Sequence, residues 1–173
     1  MNRALSILLI TILAILSLAF TSAQGEPEPA DHDTRVIYIV RHSEKADGDN
    51  PPLSPAGVER TERLTRMLAH EPLAAVYVTQ TTRSLETGKP IAEQHGIETT
   101  TYSAFGYTTL RRFIRELPKD SNALVVAHTN TVSPIFESLG AEPIGDIPDE
   151  DYSRLYAIIL QDGVYAKTIR LSI

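Results

Sequence analysis

The chain has 173 residues, with 16 Lys and Arg against 22 Asp and Glu, a formal net charge of −6 and no cysteine. That balance argues against nucleic acid as a partner, because binding a phosphate backbone needs clustered Lys and Arg. Without cysteine there is neither a disulfide framework nor a thiolate metal site.

In chain order, residues 1–23 stand apart. After Asn2 and Arg3, the stretch from Ala4 to Phe20 is apolar except for Ser6, Thr11 and Ser17, and Thr21-Ser22-Ala23 offers small residues for cleavage. This is the pattern of a secretory signal peptide. An uncleaved anchor is the alternative, for which the apolar stretch is a little short of the roughly 20 residues a bilayer span needs. Either way the remainder lies outside the cytoplasm, and export without disulfides suits a bacterial periplasm, with no stable membrane span once the leader is cut. Removing 23 of the 173 residues leaves 150, enough for one domain. Taking Arg3 from the 16 basic residues leaves 15 against 22 acidic, a net of −7. Residues 24–34, with Pro27, Pro29 and four acids, read as a flexible linker, and residues 35–173 as the domain.

The domain opens on an expected strand at 35–40. Ser54-Pro55 starts a helix reaching about residue 70, with Ser54 as N-cap and Pro55 at the first helical position. Val58, Thr61, Leu64, Met67 and Leu68 form its expected buried stripe, and Glu59, Arg60, Glu62, Arg63 and Arg66 its solvated face. A strand at 74–78 follows, then a helix at 82–94 that Pro90 should bend. Next come a weaker strand at 98–102, a short helix at 110–117 and a strand ending at His128. A helix at 131–139 and an acidic, solvated loop holding Glu142, Asp146, Asp149, Glu150 and Asp151 lead to two strands at 154–160 and 164–173. These are joined through the hairpin signal Asp162-Gly163. Alternating strands and helices imply an α/β fold, a three-layer α/β/α sandwich whose central sheet is mostly parallel with an antiparallel element at the end.

Two places carry chemistry. Arg41-His42 follows directly on the apolar run Val36–Val40, and His128 follows directly on Leu124-Val125-Val126-Ala127. In open α/β sheets ligands bind beyond the carboxyl ends of the strands, so His42 and His128 are candidates to share one site. For any single histidine the alternative is a strand cap. His70 and His95 sit where helices should end, a structural position, and His32 has no constellation around it. Two histidines alone suit a metal, a proton relay or a covalent mechanism. A metal site wants further ligands, and there is no His-x-Glu-x-His pattern, so no metal is expected. The neighbours are instead arginines: Arg41 beside the first histidine and Arg83 shortly after the second strand. Guanidinium forks hold phosphate oxygens through paired bonds, so this set describes a phosphoryl pocket. Taken alone, Arg83 could equally be a solvated helix residue.

With these residues the chain resembles the histidine phosphatase superfamily, whose fold is phosphoglycerate-mutase-like. The resemblance is carried by Val40-Arg41-His42-Ser43-Glu44-Lys45, Leu53-Ser54-Pro55-Ala56-Gly57, Thr79 to Thr87 around Arg83, and Val125-Val126-Ala127-His128-Thr129-Asn130-Thr131. It implies a phosphatase in which His42 becomes a phosphohistidine that water hydrolyses. Arg41 and Arg83 hold the phosphoryl oxygens, and His128 donates to the same group. No cofactor is implied, and the partner is a small phosphorylated substrate or a phosphoprotein. Three departures stand out. Ser43 takes the place of the family's usual glycine, and Gly48 stands where glycolytic mutases carry asparagine. There is also no carboxylate around Tyr102–Tyr107, where a general acid would be sought. Glu44 is the remaining candidate acid, with pairing to Lys45 or a nearby arginine as its structural alternative. The gap favours phosphoramidates, acyl phosphates, aryl esters or exported sugar phosphates as substrates. It also leaves open a non-catalytic module that kept the pocket to bind a phosphorylated ligand.

Overall fold

The computed structural model describes residues 31–173, so the leader at 1–23 and the linker up to residue 30 lie outside the described residues. Among the described residues, no helix is long and apolar enough to cross a membrane. Asp33–Ile173 forms one compact unit. Asp33, at the end of the expected linker, is fastened: its carboxylate accepts from the Asp120 backbone N–H at 3.0 Å and pairs with Arg35.

The apolar run after Thr34 becomes an inner strand because both of its faces can be buried. Strand β1 (Thr34–Arg41) lies between β4 (Asn122–Ala127), which is parallel to it, and β5 (Arg154–Gln161), which is antiparallel. Strand β2 (Leu73–Val78) pairs in parallel with β4 and with β3 (Thr99–Thr101), and β6 (Val164–Ser172) closes the far edge antiparallel to β5. The order is β3-β2-β4-β1-β5-β6. Asp162 (φ 52°) and Gly163 (φ 77°) both take the left-handed conformation between β5 and β6, as an Asp-Gly hairpin turn requires.

Side chains alternate across the sheet. Ile37, Ile39, Val125 and Ile158 pack against α3 (Tyr107–Arg115) and α4 (Thr129–Ser138). Tyr38, Val40, Leu124 and Val126 pack against α1 (Pro55–Met67) and α2 (Thr82–Gln94). This is the expected three-layer sandwich, with α1 and α2 covering one face of the sheet and α3 and α4 the other. Helix α2 runs through Pro90 as one element.

Helix α1 starts where expected: Ser54 Oγ accepts from the Gly57 N–H at 3.2 Å, and Pro55 sits in the first turn. Its buried face differs from the expected stripe. Thr61, Leu64 and Leu68 are buried, but Val58 is 48% exposed and Met67 45% exposed, and Gly57 takes the inward position. The reason is contact with the loop after β1. A Cβ on Gly57 would stand 2.0 Å from the Glu44 carbonyl oxygen, so the helix is pressed backbone-to-backbone there and its inward line runs through Gly57, Thr61, Leu64 and Leu68. Gly57→Ala is therefore expected to cost about 3 kcal/mol, because no flexible side chain can yield. Chemical denaturation of the two proteins would check this, and a loss under about 1 kcal/mol would mean that the loop gives way easily.

Candidate active site

The sheet register alone brings the two histidines together. Arg41 pairs with Ala127, and the His42 N–H donates to the Ala127 carbonyl at 3.0 Å, so His42 and His128 leave adjacent parallel strands side by side. Their ring centroids are 5.2 Å apart. Strand β2 ends beside them at Val78, and the turn into α2 brings Thr79 and Arg83 to the same place.

His42 is 4% exposed. Its Nδ1 lies 2.8 Å from the Ser43 carbonyl, which can only accept, so the ring proton is on Nδ1. Nε2 therefore carries a lone pair, and Arg83 Nε donates to it at 3.0 Å. His128 Nε2 is bonded to Thr79 Oγ1 at 2.9 Å, and its backbone N–H donates to Thr131 Oγ1 at 2.9 Å, fixing the ring at the start of α4. Arg41 Nη1 donates to the Asp149 and Pro148 carbonyls at 2.6 and 3.3 Å, and its guanidinium carbon lies 3.9 Å from the Tyr152 ring centre. Arg41 Nε is the one buried side-chain donor among the described residues with no partner. A buried donor left unpaired costs about 1–3 kcal/mol, and an anionic oxygen beside the histidines would satisfy it.

Burial pushes His42 down to about 3, with the charges of His128, Arg83 and Arg41 adding to it and the Ser43 carbonyl opposing. His128 goes down to about 4, again through burial first and then Arg83 and Arg41. Both rings are thus neutral at pH 7. In the unfolded chain the same imidazoles take up protons near 6.5, so the unfolded state binds more protons once the pH falls below that value. Stability from these two groups is complete above about pH 6.5 and is lost as pH drops toward 4 and then 3. The slope is at most about 1.4 kcal/mol per pH unit for each ring. The urea midpoint should fall between pH 7 and 4.5, and fall less in a His42→Asn/His128→Asn variant. An equal fall in both proteins would place the acid sensitivity elsewhere.

The chain matches the model of the histidine phosphatase superfamily, branch 1, over residues 37–106, a stretch that includes Arg41, His42 and Arg83. Over that stretch the chain is similar to the histidine phosphatase superfamily. Among solved structures it is similar to the protein histidine phosphatase SixA complexed with tungstate, at 17% identity and TM-score 0.63, over 79% of this chain and 96% of that one. It is also similar to phosphoglycerate mutase from Bacillus anthracis str. Sterne, at 16% identity and TM-score 0.60, over 82% and 95%. A third is a mycobacterial glucosyl-3-phosphoglycerate phosphatase, at 12% identity and TM-score 0.57, over 78% and 100%. At these identities the likeness is one of fold. No curated protein matches the chain by sequence.

All four residues singled out from the sequence converge at this site. Glu44 takes its structural alternative: Arg60 Nε and Nη2 hold both carboxylate oxygens at 2.7 to 2.9 Å. Burial alone would raise its pKa, but the bonds to Arg60 and the charge of Arg63 outweigh it and keep the group ionised below its ordinary range. Arg60 is accordingly not part of a purely solvated face. The serine in place of the usual glycine is accommodated because Ser43 Oγ accepts from Thr61 Oγ1 at 2.9 Å, inside the core. The acidic loop also departs from expectation. Ala141 and Ile147 are buried in the core, and Pro148, Asp149 and Tyr152 wall the site. Sequence patterning gave no signal for them, since two act through backbone carbonyls. His70 is exposed and His95 caps α2, bonding the Leu68 carbonyl, so neither takes part.

Proposed function

We propose that the protein is a metal-independent phosphatase working through a phosphohistidine on His42. The observation that carries this reading is the unprotonated, buried Nε2 of His42, held by Arg83 in a cluster with Arg41 and His128. The His42 lone pair attacks phosphorus and the bond to the leaving group breaks. Arg41, Arg83 and a ring N–H of His128 take up the charge on the phosphoryl oxygens. Water then cleaves the N–P bond, releasing phosphate and restoring the neutral imidazole. Two guanidinium groups beside the histidines repel a cation, which favours anion over metal chemistry at this donor set.

No carboxylate bonds His42, His128 or Arg83 among the described residues, and Glu44 is held by Arg60. Expulsion of the leaving group is then easiest where the departing group needs no strong acid, as in phosphoramidates, acyl phosphates and aryl esters. The same observation favours a second reading, a binding module that keeps the pocket without turnover. The test is p-nitrophenyl phosphate hydrolysis by the full chain in excess EDTA, with an alkaline quench to trap a labelled phosphoenzyme whose acid lability is then measured. Activity that survives EDTA together with an acid-labile phosphoenzyme is expected. Loss of activity to EDTA would make the histidines metal ligands, and inorganic oxyanion binding without turnover would make the protein a binding module.

A further inference from the structure

A cleft of about 370 Å³ opens on His128 and Thr79 and continues along Gln80, Thr81, Thr101 and Ser103. That size falls in the range of sites for small molecules. None of the residues lining it is Lys, Arg, Asp or Glu, and the one titratable imidazole there, His128, is neutral at pH 7. Three of its hydrogen-bonding side chains are also unspent. The Gln80 amide and the Thr101 and Ser103 hydroxyls have no side-chain bonds to other groups among the described residues. Tyr102 serves as wall, because its hydroxyl is committed to the Val126 carbonyl at 3.1 Å.

The cleft opens on His128, one of the groups that would hold the phosphoryl group, so it offers a place for the rest of a substrate. Resting on the phosphatase reading, we infer that this remainder is an uncharged, hydroxyl-bearing small molecule, joined to phosphate through an electron-poor oxygen such as the anomeric oxygen of a sugar. Two facts combine in this. A carboxylate or second phosphate in the cleft would lose its hydration with no cation to replace it, whereas sugar hydroxyls exchange water for Gln80, Thr101 and Ser103. And a site without a carboxylic acid expels an anomeric oxygen, whose neighbouring ring oxygen withdraws electrons, more readily than a primary alkoxide. In the first step the His42 Nε2–P bond forms as the bond from phosphorus to the anomeric oxygen breaks. That oxygen takes its proton from water.

The experiment compares kcat/KM of the full chain for p-nitrophenyl phosphate, glucose 1-phosphate, glucose 6-phosphate, 3-phosphoglycerate and a phosphohistidine peptide. Glucose 1-phosphate is expected to exceed 3-phosphoglycerate at least about 10-fold and to exceed glucose 6-phosphate. The ratio of glucose 1-phosphate to p-nitrophenyl phosphate should fall between about 2- and 10-fold in Thr101→Val and in Ser103→Ala, the worth of one neutral hydrogen bond each. Ser103→Arg should raise activity on 3-phosphoglycerate. Turnover of p-nitrophenyl phosphate with 3-phosphoglycerate or the peptide preferred over glucose 1-phosphate would overturn the inference and leave the phosphatase reading standing. No turnover of any compound would remove both.

Discussion

His42→Ala is expected to lower kcat for p-nitrophenyl phosphate by at least about 10³-fold and to abolish the phosphoenzyme, because no other group offers a lone pair at that point. His128 is 5.2 Å away between ring centroids, with its Nε2 turned to Thr79 Oγ1, and in this mechanism it serves as a donor and not as a second nucleophile. His128→Ala should cost less, on the order of 10²- to 10³-fold, because it removes a donor and leaves the nucleophile. The double variant should be little worse than His42→Ala, since the second donor has no transition state left to stabilise. Thermal melting of each variant separates loss of chemistry from loss of fold. Retention of a tenth or more of the activity by folded His42→Ala would end the phosphohistidine mechanism.

Why this site could be read from the sequence, and where that stopped, follows from which atoms make it. His42 and His128 were legible because strands β1 and β4 are buried on both faces, so each appears as an unbroken apolar run and its first reactive residue marks the carboxyl end. Arg41 and Arg83 were legible as charges next to those ends. Gly57 was not: apolar periodicity counts side chains, and what matters at Gly57 is the lack of one against the Glu44 carbonyl. Helical periodicity places Arg60 in solvent because its partner, Glu44, lies 16 residues away in sequence, beyond any helical spacing. Acidic composition alone places the loop before β5 in solvent. Its hold on Arg41 comes from the carbonyls of Pro148 and Asp149 and the face of Tyr152, and composition says nothing of where a carbonyl points.

Arg83→Ala is the second large loss, expected at about 10²- to 10³-fold in kcat/KM for p-nitrophenyl phosphate. In the resting site Arg83 Nε donates to the lone pair that attacks in the proposed mechanism, so the guanidinium both holds His42 Nε2 in place and occupies it. An arriving phosphoryl group offers that N–H a charged acceptor in place of a neutral nitrogen, a stronger bond, so the lone pair is released only when substrate is present. Arg83 also helps keep both histidines neutral, as one of the charges that lower their pKa values. Its removal should therefore weaken binding of an oxyanion such as tungstate and move the pKa of His42 upward together. Arg83→Lys should restore only part of the loss, since an ammonium supplies charge without the planar fork that can serve two oxygens. Wild-type-like kinetics and oxyanion affinity in Arg83→Ala would make it a surface helix residue whose bond to His42 has no part in the reaction.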